Sequence, residues 1–353
     1  MAQTLSALDT SLSKKLDNGF NAQLKGAETC ARSDELIQEK LSKLFEQVER
    51  PMIRLTQFLN DLEDSPQEQR KEQERANILQ WLSRIPNKKH HINTAHDILT
   101  GSGQWLLDHP AYTEWRTSSY SSILWLHGIP GCGKSKLVAR VTAAFLDEKV
   151  HFPSSAPMSY FYCTRNPAEP ERASPSKILR SVLKQLLATR SKDTLPRWIV
   201  DEYRERIDEA KADGSEAQPL TIDETVSAIL RLAEESPITI LIDALDEVDR
   251  AKRHDLLQGI HDIAQNAVNV VKVFVSSRED GDLVLRLKDV PNIYIKASDN
   301  EEDIRKFVDL SIDKAISQKR LLGGMVPKPV IARIKRYLVK GAQGMYVTSS
   351  LTL

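Results

Sequence analysis

Residues 123–135 read Ile-Leu-Trp-Leu-His-Gly-Ile-Pro-Gly-Cys-Gly-Lys-Ser, a short apolar run that turns at once into a glycine-rich loop. The spacing G-x-x-x-x-G-K-[ST] falls on Gly128, Gly133, Lys134 and Ser135, the pattern of a phosphate-binding loop. Lys136-Leu137-Val138-Ala139-Arg140-Val141 then continues as an amphipathic helix. Glycines let successive backbone N–H groups converge on an anion, and the helix that follows adds the positive end of its dipole. Gly128, Ile129, Pro130, Gly131, Cys132, Gly133, Lys134, Ser135 and Lys136 are therefore the expected cradle for a nucleoside triphosphate. Lys134 is placed to reach the β- and γ-phosphates, and the Ser135 hydroxyl to ligate Mg²⁺. The alternative is an ordinary glycine-rich turn between a strand and a helix.

A second run gives the first its context. Residues 238–249 read Ile-Thr-Ile-Leu-Ile-Asp-Ala-Leu-Asp-Glu-Val-Asp. The β-prone residues before Asp243 lack polar alternation, as in a parallel strand covered on both faces. Asp243 then sits at the strand's carboxyl end, where α/β sheets present their ligands. A carboxylate there is the expected metal partner of Ser135. Asp246 and Glu247 follow within one turn and can reach the γ-phosphate side. Alternatively they and Asp249 only cap the helix that begins near residue 251. In a third run, 271–278, Arg278 closes Val-Lys-Val-Phe-Val-Ser-Ser-Arg. An arginine there can stand over the γ-phosphate, or pair at the surface with Glu279 or Asp280.

Composition narrows the class. Lysine plus arginine equal aspartate plus glutamate at 49 each, and the hydrophobic fraction is 41%. Zero net charge gives no bulk attraction to nucleic acid, and no apolar stretch approaches a membrane span. The first residues lack the charged-then-apolar pattern of a secretory signal. Cys30, Cys132 and Cys163 are far apart and without metal-ligand spacing. The expectation is a soluble, cytoplasmic protein with nucleotide as its partner, and with neither nucleic acid nor membrane. Cys132, inside the loop, is either a tolerated small side chain or a redox-sensitive thiol beside Lys134.

Residues 1–86 read as a helical N-terminal region, the first ~20 of them polar and weakly patterned. Ile37, Leu41, Leu44, Val48, Met52, Leu55, Leu59 and Leu62 form an apolar seam at three- and four-residue steps, fit for a short coiled coil or for intramolecular packing. Residues 87–121 read as a linker and lead-in segment, with His90, His91 and His96 expected to be solvated. From residue 122 strands alternate with helices, the sign of a parallel α/β sheet. The expected strands are 123–127, 158–163, 238–242, 271–276 and 293–295. Helices are expected near 136–146, 175–189, 197–212, 222–234, 251–265, 301–318 and 329–340. Thr221-Ile222-Asp223-Glu224 is a capping box.

With Gly128–Ser135, Asp243–Glu247 and Ser276–Arg278 in this order, the chain resembles the NACHT class of signal-transduction ATPases, also termed STAND NTPases, and in particular fungal proteins with a nephrocystin-3-like N-terminal domain. Ile78-Leu79-Gln80-Trp81-Leu82, Gly101-Ser102-Gly103-Gln104-Trp105-Leu106-Leu107 and Tyr112-Thr113-Glu114-Trp115 carry the same resemblance, which covers roughly residues 76–346. It implies an additional-strand P-loop NTPase core over 122–346, with sheet order 5-1-4-3-2 and the Arg278 strand between the two Walker strands. It also implies a switch that rests with ADP, exchanges it for ATP, and associates with itself or a related signalling protein through the N-terminal helices. The loop at 101–105 would lie near the adenine. In the family a winged helix and a repeat array follow a segment like 342–346; here Val347-Thr348-Ser349-Ser350-Leu351-Thr352-Leu353 stands outside the pattern, and a C-terminally truncated form is expected.

Many P-loop ATPases place a catalytic glutamate directly after the metal-binding aspartate. Here that position is Ala244 and the acidic pair arrives later, at Asp246 and Glu247, so the expected hydrolysis, with Arg278 aiding charge compensation, is slow or absent. Two other readings are a P-loop small-molecule kinase and a helical adaptor whose loop is a relic. Retention of Lys134, Ser135, Asp243 and Glu247 together argues against decay.

Overall fold

The runs Ile238–Asp243 and Val271–Ser277 are buried along their whole length. In the computed structural model they are adjacent parallel strands. Ile238, Ile240 and Ile242 pack in one hydrophobic cluster with Val271, Val273 and Val275, while Leu241 and Phe274 pack in a second cluster. Alternate side chains of a strand point to opposite faces, so a sheet without polar alternation must be covered twice. The structure describes residues 66–152, 155–190, 195–342 and 344–345, with positions 14, 15 and 40. The apolar seam at 37–62 and the tail at 347–353 lie outside the described residues.

By its contacts the chain divides into residues 1–73 and 74–353. Helix α1 (Pro66–Leu82) crosses that boundary. There follow α2 (Asn87–Ala95), α3 (Gln104–Leu107), α4 (Pro110–Thr117), β1 (Ser122–His127), α5 (Lys134–His151), β2 (Met158–Tyr162), α6 (Pro175–Arg190) and α7 (Arg197–Asp213). The second half continues with α8 (Ile222–Glu235), β3 (Ile238–Asp243), α9 (Arg253–Asn266), β4 (Val271–Ser277), α10 (Gly281–Leu287), β5 (Asn292–Tyr294), α11 (Glu301–Ser317) and α12 (Lys328–Ala342). The strand order is β2-β3-β4-β1-β5, every pairing is parallel, and this is the 5-1-4-3-2 order of an additional-strand P-loop NTPase. One face carries Leu82 of α1, Ile178 of α6, Ile229 of α8 and Ile260 of α9; the other carries Leu106 of α3, Trp115 of α4 and Val138 of α5. A third, smaller cluster joins α11 to α12 through Ile304, Val308 and Ile312 of the first and Ala342 of the second.

Three expectations are corrected. Residues 87–99 are not a solvated linker around exposed histidines: α2 buries His90 and His91. His90 Nε2 lies 3.2 Å from Glu169 and His91 Nδ1 2.8 Å from the Tyr162 hydroxyl, while Asn87 donates to Ser181 at 2.6 Å. Helix α9 starts at Arg253 with Lys252 at its N-cap; Asp249 instead accepts the Ala251 N–H in the preceding turn, at 3.1 Å. Helix α10, absent from the sequence reading, is seven residues long. The capping box at Thr221 and Glu224 forms with both of its reciprocal bonds.

Candidate nucleotide site

Register brings the functional runs to one edge of the sheet. His127 pairs with Ser277 across β1 and β4, and Ile242 pairs with Val275 across β3 and β4. The loop after His127, the Asp243 carboxylate and the end of β4 therefore emerge together. They open on a cavity of about 590 Å³ lined by Gly131, Gly133, Lys134, Ser135, Asp243, Asp246, Glu247, Ser276 and Arg278, within the size range of cofactor sites.

The loop wraps as glycine chemistry requires. Gly131 and Gly133 have φ of +76° and +91°, the left-handed region that side chains resist. A Cβ on Gly128 would lie 3.2 Å from both Cys132 Sγ and Ile295 Cβ. Helix α5 starts at Lys134, two residues earlier than expected, so the amides of its first turn have no intrahelical acceptor and face the loop. Lys134 Nζ donates to the Gly128 and Ile129 carbonyls at 2.8 and 2.9 Å. Lys136 also lines the cavity, but its ammonium donates to the Thr94 carbonyl at 2.8 Å. Ile129 is exposed, whereas Cys132 is 1% exposed beneath the loop, a placement that favours the packing reading of its thiol over the redox one.

Asp243 is buried, and burial raises its carboxyl above the ordinary range, opposed by hydrogen bonds from Ser135 and Ser276. Ser276 Oγ donates to Asp243 Oδ1 at 2.5 Å and accepts the Ala244 N–H at 3.0 Å. Ala244 takes φ +57°, ψ +55°, which turns the chain from the strand into the acidic loop. Among the described residues no group of three or more His, Cys, Asp or Glu side chains could hold a metal ion. Ser135 and Asp243 form a two-oxygen set instead, and that fits Mg²⁺, which is normally held by one or two protein oxygens plus phosphates and water.

Arg278 lines this cavity and pairs with the acidic loop rather than with Glu279 or Asp280. Its Nε lies 3.1 Å from Asp246 Oδ2, its backbone N–H donates to Asp246 Oδ1 at 3.0 Å, and its guanidinium reaches Glu247 Oε1 at 3.4 Å. Glu279 is engaged by His127, and Asp280 by Arg250 and Arg253. Two arginines that the sequence did not connect with the acidic loop hold its backbone: Arg165, weighed there only as a sparse acceptor-site cation, and Arg253, not singled out at all. Arg165 donates to the Asp246 and Val248 carbonyls at 3.0 and 3.2 Å. Arg253, with none of its side chain exposed, donates to the same carbonyls at 2.8 and 3.4 Å and pairs with Asp280 and Asp282.

The far wall of the cavity is Asp97, Ile98, Leu99, Ser102, Asp303 and Phe307. Of the segment 101–105, Ser102 reaches the cavity, whereas Trp105 packs against the second core cluster. The loop, the aspartate and the Arg278 strand are thus assembled within one segment, and over residues 101–278 that segment matches the family profile described as nephrocystin 3, N-terminal. The chain belongs to the nephrocystin 3 N-terminal family.

No curated protein matches the sequence. Among solved structures, the chain is similar to a DNA replication initiation factor (TM-score 0.34, 13% identity, 70% of this chain and 59% of that one). It is also similar to the ORC1 protein of Aeropyrum pernix in complex with DNA (TM-score 0.38, 14% identity, 70% and 61%). A Walker-type ATPase of Pyrococcus abyssi gives 0.37, 14% identity, 71% and 69%. The chain thus spans about three fifths of the length of the first two. At these TM-scores the likenesses carry no weight of their own; strand order and loop geometry define the fold.

Proposed function

We propose that this family member is an ATP/ADP-binding switch of the NACHT type, with slow or absent hydrolysis and nucleotide-dependent self-association. The observation that carries the reading is the clasp of Asp246 and Glu247 on Arg278, in the same cavity as Lys134, Ser135 and Asp243. Both oxygens of Asp246 are engaged by Arg278, and those of Glu247 by Arg278 and the Arg165 N–H. A carboxylate so committed is a poor base for water, which suits a timer better than a metabolic enzyme. A γ-phosphate competes with the two carboxylates for the guanidinium, so its arrival and loss change what Arg278 holds. Mg²⁺ bound at Ser135 and Asp243 would supply charge compensation for the phosphates.

A kinase needs cations over an acceptor site. The two arginines weighed for one are occupied elsewhere, Arg165 on the acidic loop and Arg172 on the Tyr162 carbonyl and Glu169. Self-association is assigned to residues 1–86, and mass measurements across a concentration series with ADP or ATP test it. The site itself is tested by denaturing the purified chain, identifying any released nucleotide, and measuring single-turnover ATP hydrolysis. Tightly retained ADP with turnover well below ~1 per second supports the switch; turnover at the rates of ordinary enzymes, ~10 per second, overturns it.

A further inference from the structure

The turn that opens α11 touches two walls of the cavity. Asn300, just before the helix, is 1% exposed. Its side-chain amide donates to the Cys132 carbonyl at 3.2 Å and to the Gly344 carbonyl at 2.9 Å. Three residues on, Asp303 accepts the Gly103 N–H at 2.7 Å. Only the nitrogen end of the amide can meet two carbonyls. Its Oδ1 has no hydrogen-bond partner among the described residues, an unfavourable state for a buried acceptor. Among the described residues the Asn300 side-chain amide is therefore held by its two donated hydrogen bonds alone.

What the first donor does follows from peptide geometry. A trans peptide sets its C=O and N–H on opposite sides, and no described peptide is cis. With the Cys132 carbonyl drawn toward Asn300, the Gly133 N–H points the other way. Gly133 lines the cavity and has φ +91°, so the loop's own torsions offer little resistance to a flip of this peptide. A flip would turn a carbonyl oxygen toward the phosphates. The second donor holds Gly344, two residues past α12, where φ is +85° and an added Cβ would meet Ala297 Cα at 3.0 Å.

We propose that Asn300 is a positioning residue: it locks the Cys132–Gly133 peptide with its N–H toward the phosphates, and it makes that lock depend on the seating of the chain after α12. The inference rests on the nucleotide-binding reading above. The test uses the full chain, with AMP, ADP and ATP each displacing a fluorescent ADP analogue, and thermal melting without nucleotide as the folding control. Asn300→Ala should weaken ADP and ATP about tenfold, the scale of one lost hydrogen bond to a charged group, and AMP less than twofold. Asn300→Asp, of the same size but without the donors, should reproduce the pattern should alanine unfold the chain. Gly344→Ala should weaken ADP in the same direction and add nothing to Asn300→Ala. Equal losses for all three nucleotides, or no loss, overturn the positioning role. An unchanged ADP affinity in Gly344→Ala overturns the coupling to the chain after α12. A wild-type chain that binds none of the three overturns the nucleotide reading itself.

Discussion

Lys134 and Asp243 face opposite energetic demands. On the proposed function, Lys134 gains phosphate contacts that neighbouring carbonyls replace only weakly, so Lys134→Ala should lower ADP affinity by ~100-fold or more, read by titration calorimetry. Asp243 is a buried acid whose carboxyl is raised by desolvation. Its proton is held more tightly folded than unfolded, so it contributes stability at low pH that is lost as pH rises through the raised value. Asp243→Asn removes that loss. Without nucleotide, its melting temperature should exceed wild type at about pH 8, and the two should converge on acidification toward about pH 4; its Mg²⁺-dependent ATP affinity should fall. Both residues were legible because phosphate chemistry fixes their spacing and their place at a strand end. Arg253 was not: a fully buried arginine in the first turn of a helix reads as surface charge until its partners, about thirty residues away at Asp280 and Asp282, are brought to it. Arg253→Ala should cost about 3 kcal/mol in a denaturant melt, since it removes the partner of Asp282, one of the two partners of Asp280 and the donors to the Asp246 and Val248 carbonyls.

Among the elements, the strands declared themselves and α2 did not. A parallel strand covered on both faces is an unbroken apolar run, and β1, β3 and β4 are such runs. Helix α2 buries Asn87, His90 and His91, polar residues whose partners come from α6, β2 and the loop before α6, so no apolar periodicity marks it. That mode of packing makes α2 acid-sensitive. Burial lowers the pKa of both His90 and His91, so the unfolded chain binds protons that the folded chain does not, and stability is lost as pH falls below about 6.5. In His91→Gln, which cannot titrate, the slope of melting temperature against pH between about 6.5 and 5 should be shallower than in wild type. Were α2 a solvated linker, the two slopes would coincide.

For the whole molecule, the proposed function links nucleotide binding to folding. ADP at 100 times its Kd should stabilise residues 74–353 by about 2.7 kcal/mol, and Lys134→Ala should show no such gain in a melt. The strand order itself was available only through the family resemblance, because any parallel arrangement of the same apolar runs would satisfy their burial. That order has a cost during synthesis. Ser122 at the head of β1 pairs with Lys272 of β4, 150 residues later in the chain. At ribosomal rates of about 5–20 residues per second, the apolar strand bearing Ile123 to Leu126 leaves the exit tunnel about 8–30 s before β4 does. A nascent chain of this protein should therefore need chaperones throughout that interval, and slowing translation between β1 and β4 should lower the soluble yield.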